Sequence, residues 1–204
     1  MQGAHRRRRW GRAVALAAIV GCTVVALSAG SAVAWPAWLR PSRWELKAGY
    51  GWQYTNRFRP NDFQTISLLP SFVVPVSDRI KLLFTHGQFE WNPELLLATF
   101  QYPYVRPILG ITPLQFQLSF DPIYKVQPYL LAGAGALYAN VNRIETGSKA
   151  NFNLQVGAGL RYPISKDTSL LFEYRHVHVS SAGLANPNHG LNTHNFYLGV
   201  SVKR

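Results

Sequence analysis

The sequence predicts an all-β fold: an eight-stranded antiparallel transmembrane β-barrel preceded by a cleaved signal peptide. Three observations carry this. Apolar and polar residues alternate one by one over strand-length segments. Aromatic residues gather near the ends of those segments, while the opposite face is built from Gly, Asn, Gln and Ser, with isolated charges. The 204 residues are only 15% charged, against roughly 25% in an ordinary soluble domain, yet 13% aromatic. Mean hydropathy is −0.04, so apolar content is dispersed. A helical membrane protein needs runs of about 20 apolar residues, and a disordered chain is rich in charge and poor in aromatics; neither fits.

The first 34 residues read as an export address. Residues 5–12 are basic, residues 13–30 apolar, and Ala32-Val33-Ala34 satisfies the small-x-small cleavage rule, which predicts cleavage after Ala34. Ile19-Val20-Gly21-Cys22 also resembles a lipoprotein processing box, but apolar residues continue past it to Ala34, which favours ordinary cleavage. Residues 35–42 are then a lead-in and 43–204 the barrel domain. The leader holds five Arg and no acid, so the formal charge falls from +12 to +7, 16 basic against nine acidic residues. The basic run is thus a translocation signal, and no nucleic-acid partner is expected. Cys22 is the only cysteine, which leaves the mature chain without disulfide or thiol chemistry.

Residues 43–55 set the strand pattern. Trp44, Leu46, Ala48, Tyr50, Trp52 and Tyr54 fall on one face; Glu45, Lys47, Gly49, Gly51 and Gln53 fall on the other. Residues 151–162 and 194–202 repeat it, and further strands are predicted at 64–76, 80–100, 106–120, 126–139 and 168–180. Pro70, Pro75, Pro93, Pro103, Pro107 and Pro113 interrupt the early ones, and proline tends to mark edges, bulges or turns. A barrel of this size is filled by side chains, so no pore is expected. A soluble β-sandwich alternates too, but its polar face is usually richer in Lys and Glu.

The chemistry concentrates in the strand at 168–180. Leu170, Phe172, Tyr174, His176, His178 and Ser180 share one face; Glu173 and Arg175 share the other, where they can pair inside the barrel. Small barrels have short turns at the periplasmic end and longer loops outside. With a periplasmic N-terminus, connections 56–63, 140–150 and 181–192 are external, and His178 and Ser180 face lipid at outer-leaflet height. The cations Arg57, Arg59, Arg143 and Lys149 then lie in external loops, where they can attract lipid phosphates or simply be solvated.

The stretch from His178-Val-Ser180-Ser-Ala-Gly183 through Pro187-Asn188-His-Gly190-Leu-Asn192 resembles the active-site segment of the lipid A 3-O-deacylase family, outer-membrane barrels that remove an ester-linked acyl chain from lipopolysaccharide. The family pattern is His-x-Ser-Asn-Ala-Gly-Leu, then Pro-Asn-x-Gly and an acidic residue. The resemblance implies Ser180 as nucleophile, His178 as general base, and the Asn188 side chain with the Gly183 N–H as oxyanion donors. It implies lipid A as substrate and outer-membrane lipid as surroundings, and it leaves a homodimer open. This sequence departs from the pattern twice: Ser181 replaces the Asn after the serine, and Asn192 holds the place of the triad acid. An Asn can orient an imidazole through its carbonyl but cannot stabilise the imidazolium by charge.

No cofactor is expected. His176, His178, His189 and His194 lie close in sequence, but their spacing matches no zinc motif and no metal is assigned. Two other readings stand beside the esterase: a non-catalytic outer-membrane barrel acting in adhesion or membrane integrity, and a soluble periplasmic protein binding an apolar ligand.

Overall fold

One sheet closes on itself. The computed structural model describes residues 36, 39–54, 63–82, 85–102, 105–139 and 146–204. Its strands are β1 (Arg43–Gln53), β2 (Gln64–Pro75), β3 (Ile80–Lys81), β4 (His86–Trp91), β5 (Glu94–Tyr102), β6 (Arg106–Phe120), β7 (Gln127–Ala139), β8 (Ala150–Pro163), β9 (Thr168–Ser180) and β10 (Leu191–Lys203). All pairings are antiparallel. From β5 to β10 each strand pairs with its successor, β10 pairs with β1 from Arg43↔Lys203 to Gln53↔Thr193, and β1 pairs with β2. β4 and β5 run on in one direction between β2 and β6, so they form a single broken wall strand, and the ring has eight positions. This closure excludes the two-layer sandwich.

The predicted strand 80–100 is therefore corrected to a short hairpin, β3–β4, followed by β5. The break is at Asn92-Pro93, where proline has no N–H to give the ladder. Two other prolines take the same kind of position. Pro113 lies in the register shift of β6 between Ile111 and Leu114, and its carbonyl accepts from Trp91 Nε1 at 2.7 Å. Pro70 falls where the β2–β5 ladder skips from Leu68↔Leu97 to Ser71↔Glu94. The predicted leader 1–34 and the cations Arg57, Arg59 and Arg143 lie outside the described residues. Lys149 is exposed, just before β8.

The two faces follow the alternation. Tyr50, Trp52, Leu154, Val156, Phe172, Leu198 and Val200 are exposed on the outer wall, while Glu45, Lys47, Gln117, Asn153, Gln155 and Arg175 are buried inside. An apolar outer wall over a polar interior is the pattern of a barrel that has lipid as its solvent.

The interior has two parts. One is ionic. Four cations (Arg43, Lys47, Arg161, Arg175) and four carboxylates (Glu45, Glu90, Glu94, Glu173) are buried together, a neutral set. Arg175 reaches Glu94 with both terminal nitrogens, at 2.6 and 2.8 Å, and Glu173 with Nε at 2.5 Å. Lys47 lies 3.0 Å from Glu94, and Tyr129 donates to Glu173 at 2.8 Å. Arg43 grips Glu90 through two bonds, at 2.5 and 2.7 Å. The expected Glu173–Arg175 pair is part of this network. The other part, toward the Ser180 end, is apolar: Ala98, Ile108, Leu137, Ala139, Val179 and Leu191 cluster inward. There the expected complete filling is corrected, because a cavity of about 70 Å³ remains above the Glu94–Arg175 floor.

Candidate active site

The last hairpin of the ring carries the site. β9 brings His178 and Ser180 to its end, a ten-residue connection follows, and β10 begins at Leu191. The expected external connection 181–192 is thus shorter by two residues. Leu191 already pairs with Val179, and Asn192 is a strand residue directly opposite His178. Asn192, polar on the outward face of β10, hides this start from an alternation argument.

His178 and Asn192 are bonded, Nδ1 to Oδ1, at 2.8 Å. With the Asn192 carbonyl as acceptor, the imidazole proton sits on Nδ1 and Nε2 presents its lone pair. Both residues are half-buried on the outer wall. Among the described residues no carboxylate pairs with His178. Glu173, five residues earlier, is fully buried in the interior network, so it cannot substitute for an acid here.

Ser180 lies on the same outer face as His178, one pleat further along, and its Oγ accepts from Ala182 N at 3.4 Å. No hydrogen bond joins Ser180 to His178. Such bonds are often long before substrate arrives and tighten in the loaded complex. Residues two apart on a strand face are roughly 6.6 Å apart along the chain, so a rotation about the serine side chain brings the hydroxyl toward Nε2.

The connection is held by Ser181, a residue that sequence reasoning registered only as a departure from pattern. Ser181 is 1% exposed. Its N–H donates to Asn188 Oδ1 at 3.0 Å, its hydroxyl donates to the Ala185 carbonyl at 3.2 Å, and its own carbonyl accepts from Leu184 N at 3.0 Å. This last bond closes a tight turn with Ala182 and Gly183 at φ 53° and 81°, the backbone of a type I′ turn. Ala182 is an alanine in the left-handed region, which costs roughly 1 kcal/mol or more. Asn188 spends its carbonyl on Ser181, which leaves its Nδ2 as the donor side. Around Gly183 there is open space: a Cβ built there would meet nothing within 4 Å. Gly190, by contrast, is tightly placed. Its φ is 74°, and a Cβ would lie 2.7 Å from His178 Cε1, so only glycine lets the imidazole rest there.

Of the expected site residues, then, the fold brings His178, Asn192, Ser180 and the 181–190 turn with Gly183 and Asn188 to one end of one hairpin. Lys149 is exposed and makes no contact with them, while His176, His178, His189 and His194 do not converge as a metal-ligand set.

Comparison with known proteins follows the same lines. The family model described as lipid A 3-O-deacylase (PagL) matches residues 79–201. The lipid A deacylase PagL of Pseudomonas aeruginosa is 27% identical over 95 residues, 42% of this chain and 53% of that protein, so the chain spans about half the length of this curated relative. The crystal structure of the outer membrane enzyme PagL superposes with a TM-score of 0.59 at 20% identity, over 78% of this chain and 99% of that one. Neisserial surface protein A superposes with a TM-score of 0.52 at 14% identity, over 79% and 96%. Both structures share the closed barrel. Because the family model covers more than half of its residues, this outer-membrane β-barrel chain belongs to the lipid A 3-O-deacylase (PagL) family.

Proposed function

We propose that the chain is an outer-membrane esterase that removes the 3-O-linked acyl chain from lipid A. The observation that carries this reading is the His178–Asn192 bond beside Ser180, on the lipid-facing wall. Residues 1–34 are the export signal removed before assembly, 35–42 the lead-in and 43–204 the working barrel. The Ser180 end faces the cell exterior. The substrate ester approaches the wall sideways, its chains remaining in the membrane.

The steps follow serine-esterase chemistry. His178 Nε2 takes the Ser180 hydroxyl proton as Oγ bonds to the ester carbonyl carbon. The carbonyl electrons move onto oxygen, which Asn188 Nδ2 and the Gly183 N–H receive. When the intermediate collapses, the sugar–oxygen bond to the acyl carbon breaks, and His178 returns the proton to the sugar alkoxide. Water, deprotonated by the same imidazole, then attacks the acyl-enzyme. This frees the fatty acid and restores Ser180. Asn192 orients the ring throughout, while the neutral amide forgoes the charge that an acid would lend the imidazolium.

That neutrality favours a second reading, a non-catalytic relative. Mass spectrometry of lipid A from cells expressing the chain or Ser180→Ala separates the two. The esterase reading expects one hydroxyacyl chain lost with the wild type alone. Unchanged lipid A from several hosts, with the barrel folded in the membrane, overturns it and leaves the non-catalytic reading.

A further inference from the structure

Below the His178–Asn192 row, the outer wall carries a second polar group that the esterase chemistry does not use. The next outward row is His176 on β9 opposite His194 on β10. Tyr174 and His194 are bonded, Oη to Nδ1, at 2.6 Å. Tyr54 closes the cluster from β1, its ring 4.4 Å from His194 and 5.5 Å from His176. Trp52 lies beside His194, with ring centroids 5.9 Å apart. His176, His194 and Tyr174 are all half-buried, not sealed away.

Two imidazoles on a wall that elsewhere shows Leu, Val and Phe are costly in lipid and mark function by default. Their chemistry narrows the ligand. With the phenol donating to Nδ1, His194 carries its proton on Nε2, a second donor on the ring. The flanking wall residues are Val156 and Ala158 on β8, Phe196 on β10 and Trp52 on β1, which include no Lys or Arg. Among the described residues the site holds no cation, which suits a neutral acceptor such as a carbonyl better than a phosphate. The two rows are roughly 6.6 Å apart along the strand. In a barrel whose strands tilt by about 35–45° the His176–His194 row lies deeper in the membrane than Ser180 and His178, at the level of a carbonyl placed further down a neighbouring acyl chain.

We propose that Tyr54, Tyr174, His176 and His194 form a second subsite, which receives the ester or amide carbonyl of a neighbouring acyl chain on the lipid whose ester lies at Ser180. The subsite rests on the esterase reading and adds a specificity: it selects a multiply acylated lipid over a single-chain ester.

The kinetic test compares purified multi-acyl lipid A with a single-chain p-nitrophenyl ester in detergent micelles. The Tyr174→Phe/His194→Ala variant is expected to lower the ratio of kcat/KM, lipid A over nitrophenyl ester, about tenfold, through KM for lipid A. His194→Gln, which keeps a hydrogen-bonding side chain, restores part of it. An unchanged ratio overturns the subsite, including the case in which both substrates fall alike because the wall is disturbed. A second arm does not depend on turnover. In the Ser180→Ala background, binding of brominated multi-acyl lipid A is read by quenching of tryptophan fluorescence. The double change weakens binding about tenfold if the subsite exists, and equal binding overturns it. A chain that binds lipid A through the subsite but hydrolyses nothing refutes the esterase reading alone.

Discussion

The barrel holds polar groups in two places where a membrane protein has little tolerance for them, and it treats them in opposite ways. Inside, eight charges are buried, balanced four against four and cross-bonded, so that Arg175 alone meets Glu94 and Glu173. On the outer wall near Ser180 the groups are neutral, half-buried and only partly bonded: one bond joins His178 to Asn192, and one joins Tyr174 to His194. Each of these charges has an opposite charge beside it, and the network's role is to fix the ring. The wall groups retain donors and lone pairs facing the bilayer, which is what chemistry on a lipid needs.

The widest separation between the two regions is expected from Ser180→Ala. Turnover should fall about 10⁴-fold or more, with the heat-modifiable gel shift and the melting profile unchanged. Arg175→Met should do the reverse. Leaving Glu94 and Glu173 to share Lys47 alone costs about 3–5 kcal/mol, read as a lower guanidinium midpoint in detergent, and activity per folded molecule should hold. Adding Glu173→Gln to that change should recover part of the loss, because the buried set is again balanced, three cations against three carboxylates, and Lys47 keeps Glu94.

Smaller effects sharpen the contrast. Asn192→Glu should raise turnover by tens of fold, a fraction of the roughly 10⁴ at stake where an acid is replaced and the tautomer is lost as well. An unchanged rate would show that the amide is not what limits the imidazole. Gly190→Ala should destabilise by about 1–2 kcal/mol through its left-handed backbone and also slow turnover, since the added methyl displaces the His178 ring; melting and steady-state assays report the two separately.

The smallest effect belongs to neither region. At the far end of the barrel Arg79 bonds Asp121, with His86 3.5 Å away, and this holds the Asp121 carboxyl below its ordinary value. A depressed folded pKa means the contribution is present above the ordinary Asp value near 4 and is lost as pH falls through the lower one. The melting difference between wild type and Asp121→Asn should therefore close on acidification, and it should shrink in high salt.

Much of this was legible beforehand because strand alternation has a period of two and lipid enforces it. The outward faces of β1, β8 and β9 and the inward Glu173–Arg175 pair followed from counting alone. The split at Asn92-Pro93 did not, because a proline announces an interruption without saying whether it falls in a turn or inside a wall. The start of β10 was hidden for a different reason. Asn192 is polar on its outward face, so the apolar alternation stops short of it. Ser181 was the third case: its three bonds join residues within the connection, and no periodicity records such a contact.

The seam of the ring lies between the first strand and the last, where Arg43 meets Lys203. Until the final residues have threaded into place, the sheet keeps two raw edges. His178 and Asn192 face each other within the β9–β10 hairpin, so a local pairing sets the imidazole against its amide and that seam is not needed for it. Ring closure and the His178–Asn192 pairing are thus separate matters: one joins the two ends of the barrel domain, the other two strands that are neighbours in sequence.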